Sequence, residues 1–479
     1  MMGFMSELTF LSAAAMAEQI RKRKISPVEL VEAHLAKINR LNAKLNAFVH
    51  VNAARVRREA LAAESAVSNR KTTGATLGPL HGVPISIKSS LEVAGLRCDS
   101  GTLPRAEFVP TQDAPLVARL KNAGAIVLGV TNTPELLMAW ETDNLLHGRT
   151  NSPWDLERTP GGSSGGEAAA IAAGMSAGGV GSDGGGSIRV PAHFCGICGL
   201  KPTPGRIPAT GHYPVSGGPF ALIGVVGPMA RTVADTKLLF EVMQGPDDGD
   251  SCAAPVPPRW PSDEDARKLR VGYFEDDGRT PVTPETRAAV RTAAEALRRA
   301  GFQVEPFRPA GLEEARELWK KFFVVAGGML IRPMFRDRED DLSPILKQFL
   351  EWSAAEPPLT AETLLEAWTR RDTLRAEFLV QMRKYPIVIC PAAALPAFRH
   401  DERSWQIEGK TVDYLDAWSY TEWFNLLGNP AAVVPVGQSP EGLPIGVQIV
   451  GRPWEEEQVL AVVAVLEKEC CAWRPPPIV

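Results

Sequence analysis

Apolar positions along this chain follow two periods in turn. After Ser26-Pro27-Val28-Glu29, the residues Val31, Leu35 and Ile38 recur at helical spacing. Ser26 suits an N-cap, Pro27 the first helical position and Glu29 the third, so the stretch predicts a helix start. Residues 9–66 read as helical, with a second Ala-, Arg- and Glu-rich run from about 52 to 66 and a polar loop over 67–79. The period then changes. Val83-Pro84-Ile85-Ser86-Ile87-Lys88 alternates apolar and polar residues and predicts a short strand ending on a lysine. Asp113 to Ala123 predicts a helix stopped by Gly124, and Ala125 to Val130 a buried strand. Strand, helix, strand in this order implies a parallel pair.

Residues 233–243 predict another helix, and the Pro- and Asp-rich residues 244–268 a linker. Strands are expected over 269–274, 302–306, 386–390, 432–436 and 445–450, with helices from Thr283-Pro284 to Gly301 and over 455–469. Residues 311–384 are helical in pattern, carry Trp319, Trp352 and Trp368, and suggest a cap-like insertion. No fixed-period repeat is found. Strands interleave with helices from 83 to 450, which favours one sheet wrapped by helices. The expected organisation is one α/β domain over 1–479, containing a helical segment 1–66 and the insertion 311–384.

Composition narrows the function. The 479 residues are 44% hydrophobic and 23% charged, as in ordinary globular chains. Lys+Arg is 52 against 56 Asp+Glu, a net charge of -4, which argues against a broad nucleic-acid surface. No apolar run reaches membrane-spanning length. The N-terminus has no basic region of a signal peptide, so a reducing, cytoplasmic setting is expected. The seven cysteines are odd in number and scattered, which implies no disulfide framework. Cys195-Gly196-Ile197-Cys198 has no second pair to complete a zinc site and reads as buried structural thiols. The seven histidines form no ligand motif, so neither metal nor cofactor is expected.

The chemistry concentrates in two glycine clusters, Gly161-Gly162-Ser163-Ser164-Gly165-Gly166 and Gly181-Ser182-Asp183-Gly184-Gly185-Gly186-Ser187. The Ala-rich residues 168–177 between them read as a helix, so two loops can converge on one point. Gly179 to Gly184 spells a dinucleotide motif, but a helix-like run precedes it and the expected acid is missing. Neither cluster is followed by the Gly-Lys-Ser/Thr of a phosphate loop. Gly161-Gly162-Ser163-Ser164-Gly165 fits a nucleophile elbow, and His193, His212 and His400 lie downstream, so a Ser–His–Asp esterase centred on Ser163 stays open. In the other reading, Ser187 follows three glycines whose N–H groups can hold an oxyanion. A base other than histidine is then a neutral lysine, and a model lysine has a pKa of about 10.4. Lys88, at the end of an apolar strand, stands where burial could lower it, while an ordinary surface lysine at a strand end fits the same residues.

These clusters, with Gly199-Leu200-Lys201-Pro202-Thr203 and Gly82 to Lys88, resemble the amidase signature family. Thr131-Asn132, Asn151-Ser152-Pro153-Trp154-Asp155 and Gly442 to Gln448 extend the match over roughly residues 10 to 470. The resemblance implies a mixed central β-sheet flanked by helices on both faces. It implies a triad in which Ser187 is the nucleophile, Ser163 a bridge preceded by a cis peptide, and Lys88 the base. Gly184, Gly185, Gly186 and Ser187 would supply the oxyanion hole, with Asp183 and Arg189 as scaffold. Leu136, Leu137, Met138 and Trp140 are expected at the substrate, with Trp418, Trp423 and Phe424 nearby. A small amide-type molecule with an apolar or aromatic acyl group is the expected partner, for a monomer or homodimer. Amide, carbamate and ester cleavage share the acyl-transfer step and stay unseparated. The family also includes glutaminase subunits of tRNA-dependent amidotransferases, which hold glutamine with an acid where this chain has Trp418.

Overall fold

Eleven strands share one sheet in the computed structural model, which describes residues 7–73, 76–470 and 473–479. In chain order the first six strands are β1 (Phe48–Val51), β2 (Pro84–Lys88), β3 (Ile126–Thr131), β4 (Gly178–Asp183), β5 (Cys198–Lys201) and β6 (Val225–Ala230). They are followed by β7 (Arg270–Tyr273), β8 (Gln303–Pro306) and β9 (Ile387–Pro391). A separate hairpin, β10 (Ser404–Ile407) and β11 (Lys410–Asp413), precedes β12 (Ala431–Gln438) and β13 (Pro444–Val450). The order across the sheet is β1-β3-β2-β4-β6-β5-β12-β13-β9-β7-β8. β2 runs parallel to β3 and β4, and β7 to β8 and β9; the remaining pairs are antiparallel, so the sheet is mixed.

Helices cover both faces, and the period-2 alternation of the strands sorts the core between them. Ala432 and Val434 join the cluster under the helices Val233–Met243, Pro284–Arg299 and Glu456–Cys470. Val433 points the other way, into a cluster with Ala168, Ile171 and Ala192 from the helices Gly165–Ala172 and Arg189–Cys195. Helices between Leu312 and Gln381 pack with Val388, Cys390 and Val450 of the sheet in a further apolar cluster.

The structure departs from the periodicity at several places. The N-terminal segment is not helical throughout. The helix Pro27–Leu45 ends at Asn46, whose φ of 50° turns the chain. The Asn42 side chain accepts the N–H groups of Ala47 and Phe48 at 3.0 and 2.8 Å, and β1 then pairs with β3. The next helix, Ala53–Thr73, runs into the segment expected to be a loop, of which residues 74 and 75 lie outside the described residues. So do residues 1–6 of the N-terminus and Cys471. Cys195 and Cys198 are both buried. The linker expected over 244–268 contains a short helix, Asp263–Arg267.

The largest departure is at the centre. The Ala-rich helix starts earlier and ends sooner, at Gly165–Ala172, and β4 follows it closely. Glycine suppresses the strand signal because it offers no side chain to pack. Here that absence is the point. A Cβ on Gly179 would lie 2.0 Å from Glu167 Oε1, and one on Gly181 would lie 2.7 Å from Ser164 Oγ. Both positions face the same helix, so the bare strand lets Ser164 and Glu167 rest directly on the sheet.

Candidate active site

β2 delivers Lys88 by alternation. Ile85 and Ile87 join the apolar core, while Ser86 and Lys88 face the helix that begins at Gly165. Ser86 Oγ and Thr131 Oγ1 donate to the Glu167 carboxyl at 2.5 and 2.7 Å, which fastens that helix to β2 and β3. Glu167 is fully buried, and its burial raises its pKa to about 7.

The Lys88 amine lies 2.6 Å from Ser163 Oγ, 3.1 Å from Ser164 Oγ and 3.0 Å from Ser182 Oγ. It has no exposed surface, and burial holds its pKa well below the usual lysine range against the opposing pull of Asp183 and Glu167. An amine in this setting favours the uncharged form. The Gly162–Ser163 peptide is cis. Gly162 is tightly enclosed: a Cβ there would lie 2.3 Å from Glu141 O. Ser164 N–H donates to Ser187 O at 3.2 Å, which joins the two glycine clusters.

Asp183 organises the second cluster. Its carboxylate accepts the N–H groups of Gly186 at 2.7 Å and Ile188 at 3.0 Å. The same carboxylate binds Arg189 through Nη2 at 2.9 Å and Nε at 3.0 Å, and both side chains are fully buried. Arg189 and these hydrogen bonds hold the Asp183 carboxyl well below the usual carboxylate range against its burial. Arg189 continues to Thr421 O at 3.0 Å and to the side-chain oxygens of Gln448 and Asn425. The pair is structural in its contacts.

The four expected oxyanion donors separate. Gly186 N–H is spent on Asp183, so it is not aimed at a substrate. Gly184 and Ser187 border the main cavity, and Gly185 borders a small cleft beside it. Two indoles fix the loop from behind. Trp319 Nε1 donates to Gly184 O and Trp140 Nε1 to Gly185 O, each at 2.8 Å. Thr421 Oγ1 adds a second bond to Gly185 O at 2.9 Å.

The space over Ser163 and Ser187, counted with the open solvent at its mouth, amounts to about 710 Å³. Leu136, Leu137 and Met138 line it. Trp140 does not: it borders the small cleft, and its indole serves the glycine loop. Trp418, Trp423 and Phe424 are packed away from solvent and line neither space. Composition could not tell a wall aromatic from a packed one. The wall residues missing from the expectation include Phe220 and, from the helical insertion, Phe323, Gly327, Leu330 and Ile331. Phe323 sits in one wide helical turn, Lys321–Val325, and stacks on Trp319 with ring centroids 4.7 Å apart. The differing composition of that segment, with Trp319, Trp352 and Trp368 spread through it, was the sequence signal for a cap here.

The histidines do not serve Ser163. His193 Nδ1 accepts Gly446 N–H at 2.7 Å and its Nε2 faces Leu395 O at 3.1 Å. His212 borders the cavity, but its Nδ1 is 2.8 Å from Pro214 O. His400 Nε2 is 3.3 Å from Leu156 O. No histidine is hydrogen-bonded to Ser163 among the described residues, so nothing in this geometry builds a Ser–His–Asp triad there. Two other histidines do meet: His50 and His147, far apart in sequence, flank the Asp99 carboxylate. Among the described residues no helix is long and apolar enough to cross a membrane.

Known proteins resemble this chain over nearly its full length. The amidase family profile matches residues 29–460. An acylamidase of Rhodococcus erythropolis is 34% identical over 466 residues, covering 96% of this chain and 95% of the relative. A glutamyl-tRNA(Gln) amidotransferase subunit from Bdellovibrio bacteriovorus is 32% identical over 495 residues, 96% of this chain and 97% of the relative. Among solved structures, a bacterial aryl acylamidase of the amidase signature family superposes with a TM-score of 0.84 at 26% identity, covering 96% of each chain. With the profile spanning both glycine clusters and the lysine strand, the chain belongs to the amidase family and is an amidohydrolase.

Proposed function

We propose that this enzyme hydrolyses small amides with apolar or aromatic acyl groups through a serine acyl-enzyme built on Ser187, Ser163 and Lys88. The observation that carries the reading is the buried Lys88 amine, biased to its uncharged form and bonded to Ser163 at the floor of a cavity bordered by Ser187. An amine in that state can take a proton without help from imidazole or metal. Ser187 Oγ gives its proton to Ser163 Oγ as Ser163 passes its own to Lys88 Nζ. The freed Ser187 oxygen attacks the carbonyl carbon, and the carbonyl electrons move onto oxygen. Backbone N–H groups of the loop Gly184 to Ser187, other than that of Gly186, face the developing charge. The tetrahedral species collapses, the C–N bond breaks, and the relay returns the proton to the leaving nitrogen. Water, deprotonated through the same path, then cleaves the Ser187 ester to release the carboxylic acid and restore the three side chains.

The substrate class rests on the walls. Leu136, Met138, Phe220, Phe323 and Ile331 offer hydrocarbon and aromatic surface, and among the described residues no arginine or lysine lines the cavity to hold a substrate carboxylate. The acylamidase and aryl acylamidase relatives agree with this by name. A panel of anilides, alkyl amides, carbamates and esters on wild type and Lys88→Ala tests it. Anilide turnover lost by at least about 10³-fold in Lys88→Ala is expected; unchanged anilide turnover refutes the reading. The amidotransferase relative favours a second reading, a glutaminase subunit. Trp418, buried against Trp140 with ring centroids 5.8 Å apart, offers no carboxylate for a glutamine amine. Glutamine as the one substrate turned over, with partner subunits recovered on pull-down, would establish that second reading.

A further inference from the structure

Three segments remote in sequence bring metal-binding side chains to one point at the edge of the sheet. His50 stands on β1, Asp99 follows β2, and His147 precedes the first glycine cluster. One ligand atom from each lies within 4.8 Å of the other two. Asp99 Oδ2 is 2.9 Å from His147 Nε2 and 3.6 Å from His50 Nε2. The imidazole rings stand edge to face, at 85°, with centroids 5.5 Å apart.

The surroundings leave these atoms facing one another. Asp99 is fully buried, and Gly101 N–H, at 2.9 Å, occupies its other oxygen. No lysine or arginine pairs with Asp99 among the described residues. A buried carboxylate requires a compensating positive charge. His50 Nε2 is enclosed and makes no hydrogen bond. The His50 and His147 side chains keep 24% and 12% of their exposure, so the rings reach the surface although His50 Nε2 and Asp99 are themselves buried. His147 is held from its backbone: its N–H donates to Asn144 Oδ1 at 2.7 Å, and its C=O accepts from Asn46 Nδ2 at 2.7 Å.

We propose that His50, Asp99 and His147 form a binding site for one divalent transition-metal ion of the zinc class, with water in the fourth position. Tetrahedral zinc with bonds of about 2.0–2.2 Å separates its ligand atoms by roughly 3.3–3.6 Å. Of the spacings here, 3.6 Å lies at the upper end of that range and 2.9 Å below it, so a small side-chain shift between Asp99 and His147 admits the ion. Two imidazoles and one carboxylate suit zinc, cobalt or nickel better than calcium or magnesium, which take oxygen ligands. The ion would clip edge strand β1 to the loop that carries Ser100, whose N–H reaches Ser89 O beside Lys88 at 3.3 Å. It lies outside the amidase chemistry and is independent of it.

The test is equilibrium dialysis of chelator-treated full-length protein against zinc, with wild type, His50→Ala and His147→Phe compared after circular dichroism has verified folding. Wild type is expected to retain one zinc more per chain than either variant, and its melting temperature to rise with zinc where theirs does not. Cobalt(II) in the same dialysis should give wild type alone the visible absorption of a tetrahedral site. Equal zinc retention by wild type and the folded variants overturns the proposal.

Discussion

Replacing Asp183 with asparagine tests whether the glycine loop is held by charge. The substitution keeps the shape and removes the counter-ion of Arg189, which has no exposed surface. Breaking a buried pair from one side costs about 3–5 kcal/mol, because the remaining charge stays uncompensated. The new amide also presents N–H₂ toward a donor, Gly186 N or Ile188 N, each now within 3.0 Å of a carboxylate oxygen. A misfacing donor of this kind costs about a further 1–3 kcal/mol. Urea unfolding at pH 7, followed by tryptophan fluorescence, should therefore show a loss of at least about 3 kcal/mol. Turnover should fall more than apparent substrate affinity, since the apolar walls Leu136, Met138, Phe220 and Phe323 are untouched although Asp183 itself borders the cavity. The source of the loss is separable by a second variant. Asp183→Asn combined with Arg189→Met should cost less than the sum of the two singles, with a coupling on the order of 2 kcal/mol. Strict additivity, or a loss below about 1 kcal/mol for Asp183→Asn, would refute the reasoning that an unpaired buried guanidinium is what destabilises the variant.

Three further outcomes are expected. The pH profile of kcat/KM should rise as Lys88 loses its proton, with its midpoint well below 10.5 because burial disfavours the charged amine, and Lys88→Arg should be inactive at every pH. A bell with a histidine limb would contradict this. Trp319→Phe removes the donor to Gly184 O at 2.8 Å without opening the main cavity, and kcat should fall about tenfold, near 1.4 kcal/mol, with KM nearly constant in steady-state assays. Glu422 is buried and its pKa is raised by burial from 4.5 to about 8. The folded state therefore binds a proton between those values, and stability from this group is lost as pH rises from 4.5 to 8. Glu422→Gln should flatten that dependence in denaturation series at about pH 5 and 8, recovering up to about 4 kcal/mol at the upper end.

Side-chain chemistry was more legible in this sequence than backbone form. The alternation of Ile85 and Ile87 with Ser86 predicted a strand ending on Lys88, the resemblance pointed to that lysine as a base, and the structure buries it where the alternation points. The helices from Pro27 and Pro284 begin as their proline and cap residues indicate. β4 was hidden because its glycines carry no apolar pattern, although their emptiness is what seats Ser164 and Glu167. β1 was hidden because it is four residues long and depends on an Asn42 turn made by a side chain, not by periodicity. The resemblance pointed to Trp140 and Trp418 as pocket aromatics, while three-dimensional packing alone makes one a prop for Gly185 and the other core. The Asp99 cluster draws on residues about fifty positions apart, a distance at which spacing motifs carry no information.

The central claim, that Ser187 is the nucleophile served by Lys88 through Ser163, is tested most directly by covalent labelling with a fluorophosphonate and mapping of the modified peptide by tandem mass spectrometry. The account predicts phosphonylation of Ser187 in wild type, with labelling slowed by orders of magnitude in Lys88→Ala and absent in Ser187→Ala. Modification of Ser163 in wild type, or undiminished labelling of Ser187→Ala, would contradict it.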